Sequence, residues 1–152
     1  MCMSEPYILP RKGSIQDPLR IAVLISGGGS GLLALLNYQQ SNPCAHITKL
    51  IISDNVNAGG LRYGEDFSIP VAAIPLPESK NNVEQRIMHE NLIHDILLNS
   101  NIELVVLSGY MRILTPNFVC KWKGRLINIH PSLLPKYPGA HAHRDALADG
   151  AK

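Results

Sequence analysis

"RIAVLISGGGSGLLALL" (residues 20–36) changes its residue pattern twice. It begins with an apolar, largely β-branched run at 20–26, which is typical of a buried strand. A loop at 27–31 follows, in which every residue except Ser30 is glycine. Apolar residues at 32, 33, 35 and 36 then predict a helix over 30–40, which Asn42 and Pro43 end. A strand, a glycine-rich turn and a helix in this order open an α/β domain.

The same alternation continues along the chain. Apolar runs predict further strands at 46–53, 69–76, 102–109 and 125–130. Helices are predicted at about 60–67, 81–100 and 115–124, with another that begins near 143. Strands that alternate with helices form a parallel sheet covered on both faces. We therefore expect an open, mostly parallel α/β domain over residues 19–152, preceded by a flexible extension at 1–18.

Composition excludes several classes of function. The chain has 152 residues, a formal net charge of +2 and 45% hydrophobic residues. It has no block of Lys and Arg and no long apolar run, so we expect neither nucleic acid nor membrane as a partner. Its three cysteines are far apart, which argues against a disulfide framework and favours a cytoplasmic location. Oligomeric state does not follow from the sequence.

The glycine-rich loop matches neither common nucleotide motif. Leu32 stands where a dinucleotide fingerprint needs its third glycine, and Leu32 and Leu33 also break the P-loop pattern. What remains is a set of backbone N–H groups at a helix N-terminus, which suits an anion such as phosphate. The alternative interpretation is a tight turn between strand and helix.

A second candidate segment, GYMRILT at 109–115, directly follows a buried strand. Ligands of open α/β sheets bind beyond the carboxyl ends of the strands. There, Arg112 suits a carboxylate, and Met111, Ile113 and Leu114 suit an apolar slot. An equally good interpretation is that these residues continue the core and Arg112 is exposed.

The strand INIH, at 127–130, carries a third candidate. Asn128 and His130 are two residues apart, so their side chains lie on one face of the strand. An amide donates to a carbonyl oxygen that becomes an oxyanion, and an imidazole exchanges protons near neutral pH. This pair therefore suits acyl-group chemistry, and a structural histidine is the alternative.

The other histidines carry less weight. His141 and His143 are separated from His130 by three prolines, and no carboxylate or cysteine keeps a zinc spacing with them. We therefore expect no metal site. His89 and His94 are five residues apart on a predicted helix and do not share a face, so we interpret both as structural.

Three segments together resemble a known family. VLISGGGSGLLALL, SGYMRILTPNFV and GRLINIHPSLLPKYPGAHAHRDAL are similar to the phosphoribosylglycinamide formyltransferases, from about residue 20 onward. The resemblance implies a Rossmann-like formyltransferase fold. It also implies formyl transfer from 10-formyltetrahydrofolate, as co-substrate and without a metal, to the amine of 5-phosphoribosylglycinamide in de novo purine (IMP) biosynthesis.

The resemblance also implies roles for individual residues. The phosphate of the ribonucleotide would lie against Gly29, Ser30 and Gly31, the last of which is usually Asn in the family. The folate would contact Arg86, Met111, Arg112, Ile113, Leu114 and Asn128. Asn128 and His130 would be the catalytic pair.

One family feature has no counterpart in the sequence. The family's catalytic aspartate lies in an acidic, glycine-rich loop well beyond the HAHR segment, and Asp145 and Asp149 do not match its position. We therefore expect a fragment that lacks the family's C-terminal strands and has weak or no activity. The alternative functions are a formyltetrahydrofolate deformylase and a non-catalytic folate- or phosphate-binding relic.

Overall fold

The structure, a computed structural model, describes residues 7–129. They contain one five-stranded sheet of order β3-β2-β1-β4-β5, in which every neighbouring pair is parallel. The strands are β1 (Leu19–Ile25), β2 (His46–Ser53), β3 (Val71–Ala73), β4 (Leu104–Ser108) and β5 (Leu126–Ile129). The predicted open, parallel α/β fold is therefore confirmed.

Four α-helices connect the described strands. They are α1 (Ser30–Ser41), α2 (Arg62–Asp66), α3 (Asn82–Asn99) and α4 (Pro116–Lys121), and a 3-10 turn (Gly59–Leu61) precedes α2. Polar side chains fix two of the helix starts. The Asn81 side chain accepts from the N–H groups of Val83 and Glu84, and Thr115 caps α4 with Pro116 at the first helical position, as the sequence predicts.

Two hydrophobic clusters pack on opposite faces of the sheet. Alternate residues of β1 supply both, because successive side chains of a strand point to opposite faces. Ala22 and Leu24 join the cluster beneath α3 and α4, and Ile21, Val23 and Ile25 join the cluster beneath α1. Because both faces of β1 are buried, its sequence is a continuous apolar run.

Several predicted elements are shorter in the structure, among them the third strand and the fourth helix. The third strand was predicted at 69–76 but spans only Val71–Ala73 between two prolines, and Pro70 has no N–H to donate to β2. The short helix predicted at 115–124 ends at Lys121. The helix predicted near 143 lies outside the described residues.

The buried face of α3 also differs from the periodic pattern. Apolar residues recur at roughly helical spacing at 83, 87, 92, 93, 96 and 97, a pattern that indicates a buried face. Val83, Ile87 and Leu92 are nevertheless exposed. The helix instead buries His89, Glu90, Ile93 and Leu97. The polar members of this face have hydrogen-bond partners, as buried polar groups require.

The described part of the predicted flexible extension has defined contacts. The Ile8 N–H donates to the Lys123 carbonyl at 3.1 Å. The Arg11 guanidinium donates to the Glu103 carboxylate, with one bond of 3.0 Å, and this interaction holds the pKa of Glu103 below its usual range. Residues 7–18 are therefore anchored to the domain through these bonds. None of the helices in this described part is long and apolar enough to cross a membrane.

Candidate functional site

A crevice opens at the carboxyl edge of the sheet, between β1 and β4. The loop after β1 leads to α1 on one face, whereas the loop after β4 leads to α4 on the other. The two loops therefore diverge from neighbouring strand ends, which is the arrangement in which open α/β sheets bind ligands. The crevice holds a cavity of about 640 Å³, lined by Ser26, the loop at 27–31, Ser108, Gly109, Met111 and Ile129.

The glycine-rich loop ends at an uncapped helix N-terminus. Gly29 is the N-cap residue of α1 with φ 73°, a left-handed conformation that glycine adopts without strain, and no side chain among residues 7–129 caps the helix. The first N–H groups of a helix have no acceptor within it, and the first turn of α1 carries no acidic residue. This end of α1 therefore suits an anion at Gly29, Ser30 and Gly31.

Gly60, outside the glycine-rich loop, packs against the backbone of that loop. The Gly60 N–H donates to the Gly27 carbonyl at 3.0 Å. A Cβ on Gly60 would lie 3.1 Å from the Cα of Gly29 and 2.6 Å from the Ile25 side chain. Glycine at position 60 thus allows the close backbone approach that fixes the loop.

Ser26 joins three strand ends at the base of the cavity. Its hydroxyl donates to Asp54 Oδ1 at 2.7 Å and accepts from the Met111 N–H at 2.8 Å. Ser26 follows β1, Asp54 follows β2, and Met111 lies in the loop after β4. These two hydrogen bonds of Ser26 therefore fix the distance between the glycine-rich loop and the segment at 111–114.

The segment at 111–114 presents apolar side chains to solvent. The Ile113 side chain is 83% exposed, and Met111 is also exposed, whereas Leu114 packs against the core. Arg86 of α3 donates to the Ile113 carbonyl at 3.0 Å. Arg86, Arg112, Ile113 and Leu114 share the lining of a small cavity of about 10 Å³. The structure thus brings together the residues predicted to contact a folate on this side.

Buried polar groups of α3 support this segment. The Glu90 carboxylate accepts from the Thr115 N–H at 2.7 Å and from the Thr115 hydroxyl. His89 is buried, and its Nε2 hydrogen-bonds to the Ile74 carbonyl at 2.6 Å. His89 and His94 both have structural partners, as the sequence predicts.

Tyr110 lies beneath the same segment. Within the part of the chain that the structure describes, its hydroxyl is buried without a hydrogen-bond partner. Burial raises the pKa of this hydroxyl well above its usual range, with a smaller contribution from the negative charge of Asp54. The phenol is therefore neutral at physiological pH and is suited to donate a hydrogen bond.

Asn128 lies on the side of the sheet that α3 and α4 cover, which is also the side of the segment at 109–115. It is paired in register with Leu107 and shares its face with Leu126, both of which contact the cluster beneath α3 and α4. Its side chain is exposed, whereas Ile129, on the opposite face, lines the cavity. His130, His141 and His143 lie outside the described residues. Residues 7–129 contain no group of three His, Cys, Asp or Glu that could hold a metal ion.

Three residues at this edge were not predicted as site residues. Ser26, Asp54 and Ser108 each stand at or directly after the carboxyl end of a strand. The rule that ligands bind at these ends is the signal that could have found them.

The chain is similar to known formyltransferases. Residues 19–152 match the model of the family described as Formyl transferase. Phosphoribosylglycinamide formyltransferase of Escherichia coli is 42% identical over 132 residues, which cover 87% of this chain and 60% of that protein. The trifunctional purine biosynthetic protein adenosine-3 of Chironomus tentans is 42% identical over 134 residues, 86% of this chain and 9% of that protein.

The solved structures agree with this relationship. Phosphoribosylglycinamide formyltransferase from Coxiella burnetii superposes with a TM-score of 0.78 at 39% identity, over 89% of this chain and 62% of that one. A formyltetrahydrofolate deformylase from Burkholderia mallei has a TM-score of 0.71 at 25% identity, over 91% of this chain and 47% of that one. The chain thus spans less than two thirds of each of the two curated relatives.

Proposed function

Because the chain belongs to the formyl transferase family, we propose that it takes part in formyl transfer from 10-formyltetrahydrofolate to the amine of 5-phosphoribosylglycinamide, a step of purine biosynthesis. The observation that carries this proposal is the cavity between β1 and β4, whose lining includes both the glycine-rich loop and Met111. One crevice thereby has an anion-binding wall and an apolar wall. A phosphate-bearing amine and a folate need these two surfaces.

The two substrates would bind on opposite sides of the crevice. The phosphate would accept hydrogen bonds from the backbone N–H groups of Gly29, Ser30 and Gly31 at the start of α1. The folate would lie against the segment at 111–114, whose exposed Ile113 side chain offers apolar contact. Arg86 contributes by holding the Ile113 carbonyl, and Arg112 supplies a cation at the same surface.

The reaction would need a hydrogen-bond donor to the oxygen that becomes negative, and a side chain that transfers a proton. The substrate amine attacks the formyl carbon, a new C–N bond forms, and the carbonyl oxygen becomes negative. The Asn128 side-chain N–H would stabilise that oxygen, and His130 would carry the proton from the attacking amine to the leaving folate nitrogen as the old C–N bond breaks. No step of this scheme requires a metal.

We also propose that the chain is part of a cytoplasmic, Rossmann-like enzyme whose substrates are small molecules. The Chironomus tentans relative is named as a purine biosynthetic protein and the Escherichia coli relative as a phosphoribosylglycinamide formyltransferase, which supports the proposed reaction. The deformylase alternative has weaker support, because the Burkholderia mallei enzyme has 25% identity against 39% for the Coxiella burnetii formyltransferase. A deformylase gives the formyl group to water and so has no need of a ribonucleotide site.

Calorimetric titration of the chain with glycinamide ribonucleotide and with a non-reactive analogue of 10-formyltetrahydrofolate tests the proposal. Saturable binding of both ligands is expected. Binding of the folate analogue alone would favour a deformylase or a binding relic, and binding of neither would contradict the proposal.

Replacing the proposed proton carrier tests the chemistry separately. In a completed full-length protein, we expect His130→Ala to lower formyl transfer by about 100-fold or more, the usual range for general acid–base catalysis, with little change in the affinity for either ligand. His94→Ala, at a histidine with a structural partner, is the matched control. Unchanged transfer in His130→Ala would show that the assigned role is wrong.

A further inference from the structure

The proposed phosphate site contains a polar side chain, that of Ser108, to which no role has yet been assigned. Ser108 is the last residue of β4 and lines the cavity together with the loop at 27–31. Ser108 as a whole is 8% exposed. Within the described residues its hydroxyl makes no hydrogen bond, and it is not among the fully buried polar atoms that lack a partner. The hydroxyl is therefore reachable from the cavity and available to bind a ligand there.

The position of this hydroxyl is set by a glycine of the loop. A Cβ at Gly31 would lie 2.5 Å from Ser108 Oγ, which is closer than two such atoms can approach. Gly31 is the second residue of α1, where the backbone N–H groups have no acceptor within the helix. The absence of a side chain at position 31 thus allows the Ser108 hydroxyl to stand beside these N–H groups.

On these observations, and resting on the proposed function, we propose that Ser108 is a further ligand of the substrate phosphate, with Gly31 as the residue that leaves room for its hydroxyl. The chemical class of the ligand is a phosphate monoester. A hydroxyl can rotate to donate to a phosphate oxygen, and that oxygen also accepts from the start of α1. A side chain at position 31 and a donating hydroxyl at position 108 compete for the same space.

The test is an NMR titration of the ¹⁵N-labelled chain with glycinamide ribonucleotide and, separately, with inorganic phosphate. The amide signals of Gly29, Ser30 and Gly31 report binding. Ser108→Ala is expected to weaken binding of both ligands about tenfold, since a hydrogen bond to a charged group is lost. Ser53→Ala, a buried serine at the matching end of β2, is the control and is expected to leave both affinities unchanged.

A second variant separates the hydroxyl contact from general disruption of the loop. Gly31→Ala is expected to turn the Ser108 hydroxyl away and to weaken binding to a similar extent. In the Ser108→Ala background, Gly31→Ala has no hydroxyl to displace, so the double variant is expected to bind no more weakly than Ser108→Ala alone. Additive losses would overturn the coupling between the two residues.

The outcomes distinguish this inference from the proposed function. If the wild-type chain binds both ligands and Ser108→Ala binds them equally well, the inference is wrong and the proposed function stands. If only inorganic phosphate binds at residues 29–31, and Ser108→Ala weakens it, the ribonucleotide is the wrong substrate and the inference stands. If neither ligand shifts these amides in the wild-type chain, both are wrong.

Discussion

Ser26 shows how a single hydroxyl can organise the proposed site. It accepts from the Met111 N–H and donates to Asp54, so it connects the loop after β1 with the loop after β4. Each of these loops carries one of the two predicted binding surfaces. The separation between the surfaces therefore depends on this contact, since the loops diverge beyond it.

Replacing Ser26 should loosen the folate side of the crevice. Ser26→Ala leaves the Met111 N–H without its acceptor, and a hydrogen bond of this kind contributes about 1 kcal/mol. We expect the chain to bind the folate analogue roughly fivefold more weakly by calorimetry. Asp54→Asn is the control, because an amide oxygen can still accept from Ser26. If Ser26→Ala binds the folate analogue with unchanged affinity, the contact between Ser26 and Met111 has only a structural role and the prediction is wrong.

Some of the site residues could be predicted from the sequence, and others could not. The glycine-rich loop and the segment at 111–114 follow buried strands, and the structure places the loop and Met111 on the same cavity. Ser26 and Ser108 were missed because a serine at a strand end resembles an ordinary turn residue. Their contacts depend on which strands are neighbours, and this order is not readable from the chain. The role of His130 stays a prediction.

At the scale of elements, α3 and α4 meet through a polar contact. The Trp122 Nε1–H, just after α4, donates to His94 Nδ1 at 3.0 Å, and the two rings meet edge to face. Arg125 lies over the Trp122 ring at 4.7 Å. Burial lowers the pKa of His94 below its ordinary value of 6.5, with help from the positive charges of Lys121 and Arg125 and against the negative charge of Asp95.

This contact should make stability depend on pH. Protonation of His94 removes the acceptor that Trp122 needs, and the unfolded chain binds this proton more readily than the folded chain. The contribution is therefore present above about pH 6.5 and is lost as pH falls through the lower folded-state pKa. Trp122 is the single tryptophan of the chain, so its fluorescence reports the titration directly.

We expect Trp122 emission to titrate with a midpoint below pH 6.5, and His94→Gln to abolish that transition. His46→Gln provides the control, since His46 stacks on Tyr38 and hydrogen-bonds to Gln39, away from Trp122. A midpoint above 6.5, or an unchanged titration in His94→Gln, would contradict the account.

The limits of α3 were predictable but its buried face was not. The sequence predicts a helix at 81–100, and the structure has Asn82–Asn99. Hydrophobic periodicity counts only apolar residues, whereas the helix buries His89 and Glu90 against the Ile74 carbonyl and Thr115. The pattern cannot reveal burial that depends on distant hydrogen-bond partners.

For the whole molecule, the alternation of strands and helices was enough to predict a parallel α/β sheet. The apolar pattern located each of the five described strands. It did not give their order, and the order β3-β2-β1-β4-β5 is what creates the crevice between β1 and β4. The proposed function rests on this topology, because it requires that two ligands of different chemistry bind on the two sides of one crevice.

NMR mapping of the two ligands on the ¹⁵N-labelled chain can establish whether they bind on separate sides of the crevice. Glycinamide ribonucleotide is expected to shift the amides of residues 26–31 and Ser108, and the folate analogue those of residues 109–114. The two sets should meet at Met111, whose N–H bonds to Ser26. Shifts confined to another surface, such as the groove between α1 and the start of β2, or shifts by both ligands at the same residues, would contradict the account.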